Sequence, residues 1–344
     1  MDDSTKLRVG IIGCGYQGDR LARAIALVDA LTVTACADII PERAVELAAF
    51  AGQASAHASA EELLANSNVD VVMVATPHHV LAPISLLAIQ AGKHVMCEKP
   101  CGMNAAELAG VEKAAATAGI AYLAGYSFRY APAWYKVHEL LVQGVVGEIL
   151  AVTGYIGVGA MDEGWKSTPE TGGGPMLYVG SHLVDQVLWY LQDDPVEVYA
   201  STRFRGDTRA DETSAFQVKF ARGATVQLVS TQTDPPGFTH RLDIYGRDGS
   251  ISMRMVGFLD YEVTVSSRVM EEYKQPAVIH VPFTGDVRDV KHSRQLAEFV
   301  QSIRSGEPVF VTTHQARKVM EVIDAVFASS RAGEPVRIEQ GIPV

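Results

Sequence analysis

The stretch from residue 7 to residue 38 constrains this chain more than any other. An apolar run, Val9 to Ile12, breaks on three glycines at Gly13, Gly15 and Gly18. A helical pattern follows through Leu21, Ile25 and Val28, and then a β-rich run ends on Asp38. A GxGxxG triplet that follows a strand, opens a helix and precedes a strand ending in an acid marks a dinucleotide-binding βαβ unit. Gly13 lets the chain turn tightly, Gly15 lets the backbone approach a pyrophosphate, and Gly18 lets helix and strand pack closely. The amides of the helix N-terminus, at Tyr16 and Gln17, then face the phosphates with the positive end of the helix dipole. Asp38 stands 20 residues beyond Gly18, where a carboxylate holds the ribose hydroxyls. Such a carboxylate repels a 2′-phosphate, and Ile39, Ile40 and Pro41 offer no arginine to receive one. NAD is therefore the expected cofactor, with NADP the weaker alternative because Arg43 lies one helical turn on.

The pattern beyond Asp38 stays α/β. Helices are expected over Pro41–Ala51, from Ser59 with Glu62 at the capping-box position, over Pro83–Ala91 and over Ala105–Ala118. Strands are expected over Val69–Ala75, His94–Cys97 and Ile120–Ala124. Alternating strands and helices of this kind make a parallel sheet with helices on both faces. Ligands sit outside the carboxyl ends of such strands. Gly13–Gly18, Asp38, Thr76–His78, Glu98–Pro100 and Gly125–Arg129 all fall at those ends.

After residue 130 the character changes. A helix over Trp134–Gln143 precedes a strand over Ile149–Gly157. A Gly- and Pro-rich loop spans Val158–Pro175, and a helix follows over Met176–Leu191. Six strand-like runs come next: Val196–Phe204, Ser214–Phe220, Thr225–Thr231, His240–Tyr245, Ser250–Met255 and Tyr261–Ser266. Short turn signals separate them, as in an antiparallel sheet. The tail returns to helix at His292–Arg304 and Thr313–Ser330. The chain is thus expected to divide into an α/β dinucleotide-binding Rossmann domain, residues 1–126, and an α+β domain with an open, mostly antiparallel sheet, residues 127–344, for substrate binding and oligomerisation.

The 344 residues fit two domains, and a net charge of −11 argues against a nucleic-acid partner. The first residues carry no apolar leader and no run of about 18 apolar residues occurs, so a cytoplasmic location and no membrane partner are expected. Cys14, Cys36, Cys97 and Cys101 match neither a disulfide framework nor a CxxC pair. They are read as reduced, mostly buried thiols, and no metal site is expected even with His94 near two of them.

Several segments, in order, resemble the Gfo/Idh/MocA oxidoreductases. They are Gly13-Cys14-Gly15-Tyr16-Gln17-Gly18, Ala75-Thr76-Pro77, Ala91-Gly92-Lys93-His94-Val95-Met96-Cys97-Glu98-Lys99-Pro100, Gly172-Gly173-Gly174 with Gly180-Ser181-His182-Leu183-Val184-Asp185, and Gly306-Glu307-Pro308-Val309. The resemblance implies an NAD(P)-dependent dehydrogenase acting on CH–OH groups of sugars, sugar acids or cyclitols, assembled as a homodimer or homotetramer through the second-domain sheet. It puts Lys99 on the family's catalytic lysine and His182 on its catalytic histidine. The chemistry agrees, because hydride transfer from an alcohol needs a partner for the hydroxyl proton. Thr76, Pro77, His78, Glu98 and Lys99 would join the glycine turn around the cofactor.

Two positions depart from the family pattern. Tyr178 stands where the family has an Asp four residues before the His, and a phenol supplies no carboxylate charge at neutral pH. Tyr178 then binds substrate or assists proton transfer, the chemistry leans on Lys99, or the activity is altered. After Thr76-Pro77, His78 and Leu81 replace the usual Asn and His, and His79 reads as a capping or surface residue. Further substrate contacts are expected from Tyr126, Arg129, Trp165 and Lys166. Trp165 suits stacking on a sugar ring, and Arg129 and Lys166 suit a sugar acid. The alternative for Arg129 is a structural pairing, for instance with Glu98. Two other functions remain open at this level: an NAD-recycling enzyme that cleaves glycosides by oxidation and elimination without net redox, and a non-enzymatic NAD-binding regulator.

Overall fold

The chain opens as the glycine pattern requires. A computed structural model describes residues 6–338, apart from 53, 66, 67, 162, 205, 207–209, 258, 259 and 283. The N-terminal residues 1–5, on which the reading of a missing leader rests, lie outside the described residues.

In chain order the first elements are β1 (Leu7–Ile12), α1 (Tyr16–Ile25), β2 (Leu31–Ala37), α2 (Pro41–Phe50), β3 (Ser55–His57), α3 (Ala60–Leu64), β4 (Val71–Val74), α4 (His78–Gln90), β5 (His94–Glu98), α5 (Ala105–Ala118) and β6 (Tyr122–Gly125). The six strands are all parallel, in the order β3-β2-β1-β4-β5-β6. This is the doubly wound order of a Rossmann fold, whose sequence reverses direction at β1/β4. Val71–Val74 and Val95–Cys97 are fully buried. Strands covered on both faces read as continuous apolar runs for that reason. Each such side chain contributes about 1.5–3 kcal/mol on burial.

Local signals account for most of the helix ends. Ser59 Oγ accepts from Glu62 N at 3.1 Å, and the Glu62 carboxylate takes Ala58 N at 3.0 Å. Asn104 caps α5, and Gly119, at φ +64, stops it in the left-handed region. Helix α4 begins five residues before the expected Pro83. Pro77 stands at its N-cap and Pro83 lies inside it. The expected helix over Pro83–Ala91 is thus longer at its start, and the interior proline sits in an apolar helix that packs on α5 and β5.

The second group comprises α6 (Pro132–Val142), β7 (Ile149–Val158), a π-helical turn (Met176–Gly180) running into α7 (Ser181–Leu191), and seven further strands. These are β8 (Pro195–Phe204), β9 (Asp211–Phe220), β10 (Thr225–Thr231), β11 (Phe238–Gly246), β12 (Gly249–Val256), β13 (Asp260–Ser267) and β14 (Ala277–Ile279). Helices α8 (Val287–Ser305) and α9 (Thr313–Ala332) and a short β15 (Val336–Arg337) complete the chain. The sheet runs β14-β13-β12-β11-β7-β10-β9-β8-β15. Every neighbouring pair is antiparallel except β7 and β10. Burial alternates along β12, as in a sheet packed on one face.

The chain divides into two compact units: Met1–Tyr130 with Arg288–Arg317, and Ala131–Val287 with Lys318–Val344. The expected single boundary after residue 126 therefore misses residues 288–317, which return to the first unit. The reason is a buried stripe on α8 (Lys291, His292, Gln295, Leu296, Phe299 and Val300) at helical spacing. Arg20 pairs with Asp289 at 2.6 Å, and Ala124 N donates to Val311 O at 3.0 Å beside β6. Among the described residues no helix is long and apolar enough to cross a membrane.

Candidate functional site

The glycine turn of the first unit is built by close backbone approach. Gly13 has φ +94, and a Cβ there would lie 2.6 Å from Ala75 O and 2.9 Å from Thr76 N. A Cβ on Gly18 would collide with Gly13 O. Nothing approaches the Cβ direction of Gly15 within 4 Å. Asp38 sits at the end of β2, where its carboxylate accepts Cys14 N at 2.7 Å and Ile40 N at 2.9 Å. Thr76 Oγ1 is buried with no hydrogen-bond partner among the described residues. Pro77 caps α4, His78 is its first residue and is buried, and His79 is exposed. A dinucleotide fits this arrangement: open space at Gly15, an unmet hydroxyl at Thr76, and a carboxylate fixed at the second strand end.

Gln17 links that turn to the Glu98-Lys99-Pro100 segment. Its Nε2 donates to Glu98 Oε1 at 2.7 Å and lies 3.2 Å from His292 Nε2. An amide nitrogen only donates, so His292 Nε2 accepts and the ring carries its proton on Nδ1, facing Gln295 Oε1 at 3.3 Å. Burial keeps His292 well below its usual value, with the Lys291 charge adding to the effect, which agrees with a neutral ring. Burial also pushes the Glu98 carboxyl up, opposed by Lys99 and Lys291 and by the Gln17 hydrogen bond. Lys291 is pushed down to about 8, first by burial, against the pull of Glu98 and with repulsion from Lys99, Arg20 and Arg288. Its ammonium lies 4.4 Å over the Phe128 ring. Lys99 is half-buried at the end of β5, ahead of a cis bond to Pro100. Tyr16 is 68% exposed, and its hydroxyl accepts from Arg288 Nη1 at 3.3 Å.

Sequence reasoning missed Lys291 and His292. The one available signal was their place on the apolar stripe of α8. Tyr126 and Arg129, expected as substrate contacts, are 0% and 1% exposed. Arg129 Nη1 donates to Gln315 Oε1 at 3.3 Å, a partner within the first unit.

In the second unit, Trp165 and Lys166 lie on a 3-10 turn, Gly164–Ser167, within the loop that was expected to be irregular. The triple glycine docks against it. Gly174 N donates to Lys166 O at 3.0 Å, Gly173 N to Thr168 O at 2.8 Å, and Thr171 Oγ1 to Trp165 O at 2.6 Å. Asp211 holds the far side by accepting Met176 N at 3.0 Å, and burial pushes its carboxyl up to about 7. The expected helix from Met176 thus starts as a π turn, a distortion frequent at functional sites. Tyr178 is half-buried on that turn, and His182 is buried in the first turn of α7. Lys166 Nζ donates to Tyr178 OH at 3.1 Å and lies 4.4 Å over the Tyr178 ring and 5.8 Å over Trp165.

All four cysteines are free and buried. Among the described residues no three His, Cys, Asp or Glu side chains gather to hold a metal.

A Rossmann unit with this glycine turn and strand-end carboxylate is built to hold a nicotinamide dinucleotide, NAD or NADP. The comparisons agree. The profile described as an oxidoreductase family with an NAD-binding Rossmann fold matches residues 7–126, and that of the GFO/IDH/MocA C-terminal domain matches residues 134–252, together well over half the chain. The protein belongs to the Gfo/Idh/MocA family. Among its relatives, the D-xylose 1-dehydrogenase (NADP(+)) 2 of Haloferax volcanii is 26% identical, over 86% of this chain and 89% of that protein. The myo-inositol 2-dehydrogenase of Thermotoga maritima is 22% identical, over 98% and 100%. A solved structure of levoglucosan dehydrogenase with NADH and levoglucosan shares the fold at TM-score 0.90 and 21% identity, covering 98% of this chain and 100% of that one.

Proposed function

We propose that the protein is an NAD-dependent dehydrogenase that oxidises a hydroxyl of a sugar or cyclitol. The observation that carries this reading is the Gln17–Glu98 hydrogen bond at 2.7 Å, which ties the glycine turn to the segment bearing Lys99. When bound, the nicotinamide accepts the carbinol hydrogen with its two electrons, leaving the hydroxyl proton for a protein group. Lys99 takes that proton in oxidation and returns it in reduction. Glu98 and Gln17 hold the segment in place. In the second unit, Tyr178 and His182 stand at the family-pattern positions for substrate hydroxyl contacts, the phenol replacing a carboxylate as a neutral hydrogen-bond partner. Asp38 receives the ribose hydroxyls of NAD with the carboxylate that Cys14 N and Ile40 N already fix.

NADH absorbance, followed with myo-inositol, D-xylose, D-glucose and D-gluconate, tests the reading. Turnover with NAD and at least one of these is expected. Lys99→Met should lower kcat by about 10²- to 10⁴-fold while NAD binding, followed by fluorescence, is kept. Asp38→Ser should move the preference toward NADP. No turnover on any sugar or cyclitol, or full activity in Lys99→Met, would overturn the assignment.

A further inference from the structure

The triple glycine has a physical task that the cofactor and the hydride chemistry leave unexplained. It lies in the second unit, and its three residues differ in what they permit. Gly172, at φ +79, and Gly174, at φ +94, take left-handed backbone that a side chain would strain. A Cβ on Gly173 would collide with the carbonyl of Lys166, and one on Gly174 would collide with the Asp211 carboxylate. The glycines therefore let the Gly164–Ser167 turn and the start of the π turn approach backbone to backbone. The result is a fixed exit point for the Lys166 side chain. From there the ammonium reaches the Trp165–Tyr178 ring pair, 5.8 and 4.4 Å from their centroids, and donates to the phenol oxygen at 3.1 Å. Trp165 meets Tyr178 edge to face at 6.2 Å.

We propose that Lys166 is the positioning residue of Tyr178, and that it acts on substrate through this phenol rather than by binding a substrate carboxylate. This rests on the reading of Tyr178 as a substrate contact. An ammonium has donors only, so the Tyr178 oxygen accepts from it. The phenol hydrogen is then turned away from Lys166 and is the one the phenol donates. A charge-assisted bond of this kind fixes the phenol's direction more firmly than a neutral one. An ammonium on the phenol oxygen also polarises the O–H and strengthens it as a hydrogen-bond donor to a substrate hydroxyl. The aromatic walls suit the cation, because ring faces attract an ammonium. With one of its three donors committed to the phenol, Lys166 has its direction set by Tyr178 within the protein. On this proposal the pair serves a hydroxyl of a neutral polyol, and Lys166 has no sugar-acid role.

The test uses the full chain in four forms: wild type, Lys166→Met, Lys166→Arg and Tyr178→Phe, with the Lys166→Met/Tyr178→Phe double variant added for kinetics. Tyrosine is labelled with ¹³C at Cζ, and the Tyr178 resonance is assigned by its loss in Tyr178→Phe. It is expected to shift in Lys166→Met and to return toward its original position in Lys166→Arg. An unmoved resonance in Lys166→Met overturns the proposal whether or not any substrate turns over. With myo-inositol or D-xylose and NAD, Lys166→Met should lose about 10- to 100-fold in kcat/KM, carried mainly by kcat, and Lys166→Arg should recover most of it. The double variant should be no worse than Tyr178→Phe alone. A Lys166→Met variant that raises KM for D-gluconate and leaves the neutral sugars unchanged overturns the proposal in favour of a carboxylate site. Wild type that turns over none of these compounds overturns the dehydrogenase reading, and the resonance then decides this one by itself.

Discussion

Two buried titratable side chains in the second unit bias stability in opposite directions. Asp211 is 2% exposed, and its carboxyl is raised from 3.8 to about 7 by burial, which outweighs the Met176 N–H and the Ser214 hydroxyl that favour the anion. The folded state then holds a proton that the unfolded state has lost between those values, so stability falls as pH rises through that window. The loss is up to roughly 4 kcal/mol at 1.36 kcal/mol per unit. His240 is fully buried against Trp134, their rings 5.5 Å apart, and desolvation lowers its value from 6.5 to about 3. Here the unfolded state binds the extra proton, so stability falls as pH drops from about 6.5 toward about 3. Urea midpoints across that range should show the neutral-side decline flattened in Asp211→Asn and the acid-side decline flattened in His240→Phe. Profiles with unchanged slopes would rule out both assignments. Neither role was legible in the sequence. Asp211 stands in a run that reads as an ordinary turn and strand start, and nothing local says that its carboxylate will close over a backbone amide 35 residues away. The strand-end positions of Lys99 and Asp38 were legible because each stands in a local motif. Arg129 was left open between a substrate contact and a structural pairing, because a cation just past the last Rossmann strand looks the same in sequence whether it faces a ligand or Gln315.

Among elements, the π turn and the Gly164–Ser167 turn form one device. Gly173→Ala tests it, since the new Cβ meets backbone, which cannot swing aside as a flexible side chain would. We expect a loss of roughly 1–3 kcal/mol, the range for strained or overpacked positions, together with a larger fall in kcat than in sugar affinity. A variant with wild-type kcat would show that the docking of the two turns does not matter to the chemistry. Sequence reasoning saw the glycines, the helix after them and the residues around them. It did not see why three were needed, because the carbonyl that Gly173 accommodates lies on a separate turn. Elements with local start and stop signals came out at their observed bounds, as α5 did between Asn104 and Gly119. The three short edge strands β3, β14 and β15 were missed, since runs of two or three residues carry no periodicity.

At the scale of the molecule, the return of residues 288–317 to the Rossmann unit matters most. Tyr130 OH donates to Glu298 at 3.0 Å, and its ring meets Phe310 edge to face at 5.5 Å. A fragment ending at Tyr130 would lose those partners, together with the Arg20–Asp289 pair and the Lys291 contact with Phe128. It should unfold at lower urea, and bind more of an apolar dye, than the same fragment with residues 288–317 joined by a flexible linker. Equal midpoints would show that the segment adds nothing to the unit. By itself the sequence determined the dinucleotide turn, the alternation that makes a parallel sheet, the antiparallel run that follows and the lysine at the end of β5. All of these are written in spacings of a few residues, where backbone geometry and side-chain period leave few choices. Only the tertiary structure decided that α8 belongs with the first unit, that Arg129 is buried with Gln315 as a partner, that Gln17 bridges Glu98 and His292, and that Lys166 is seated on Tyr178. Those outcomes depend on which distant surfaces can bury apolar area and satisfy polar atoms together, and no local pattern carries that information.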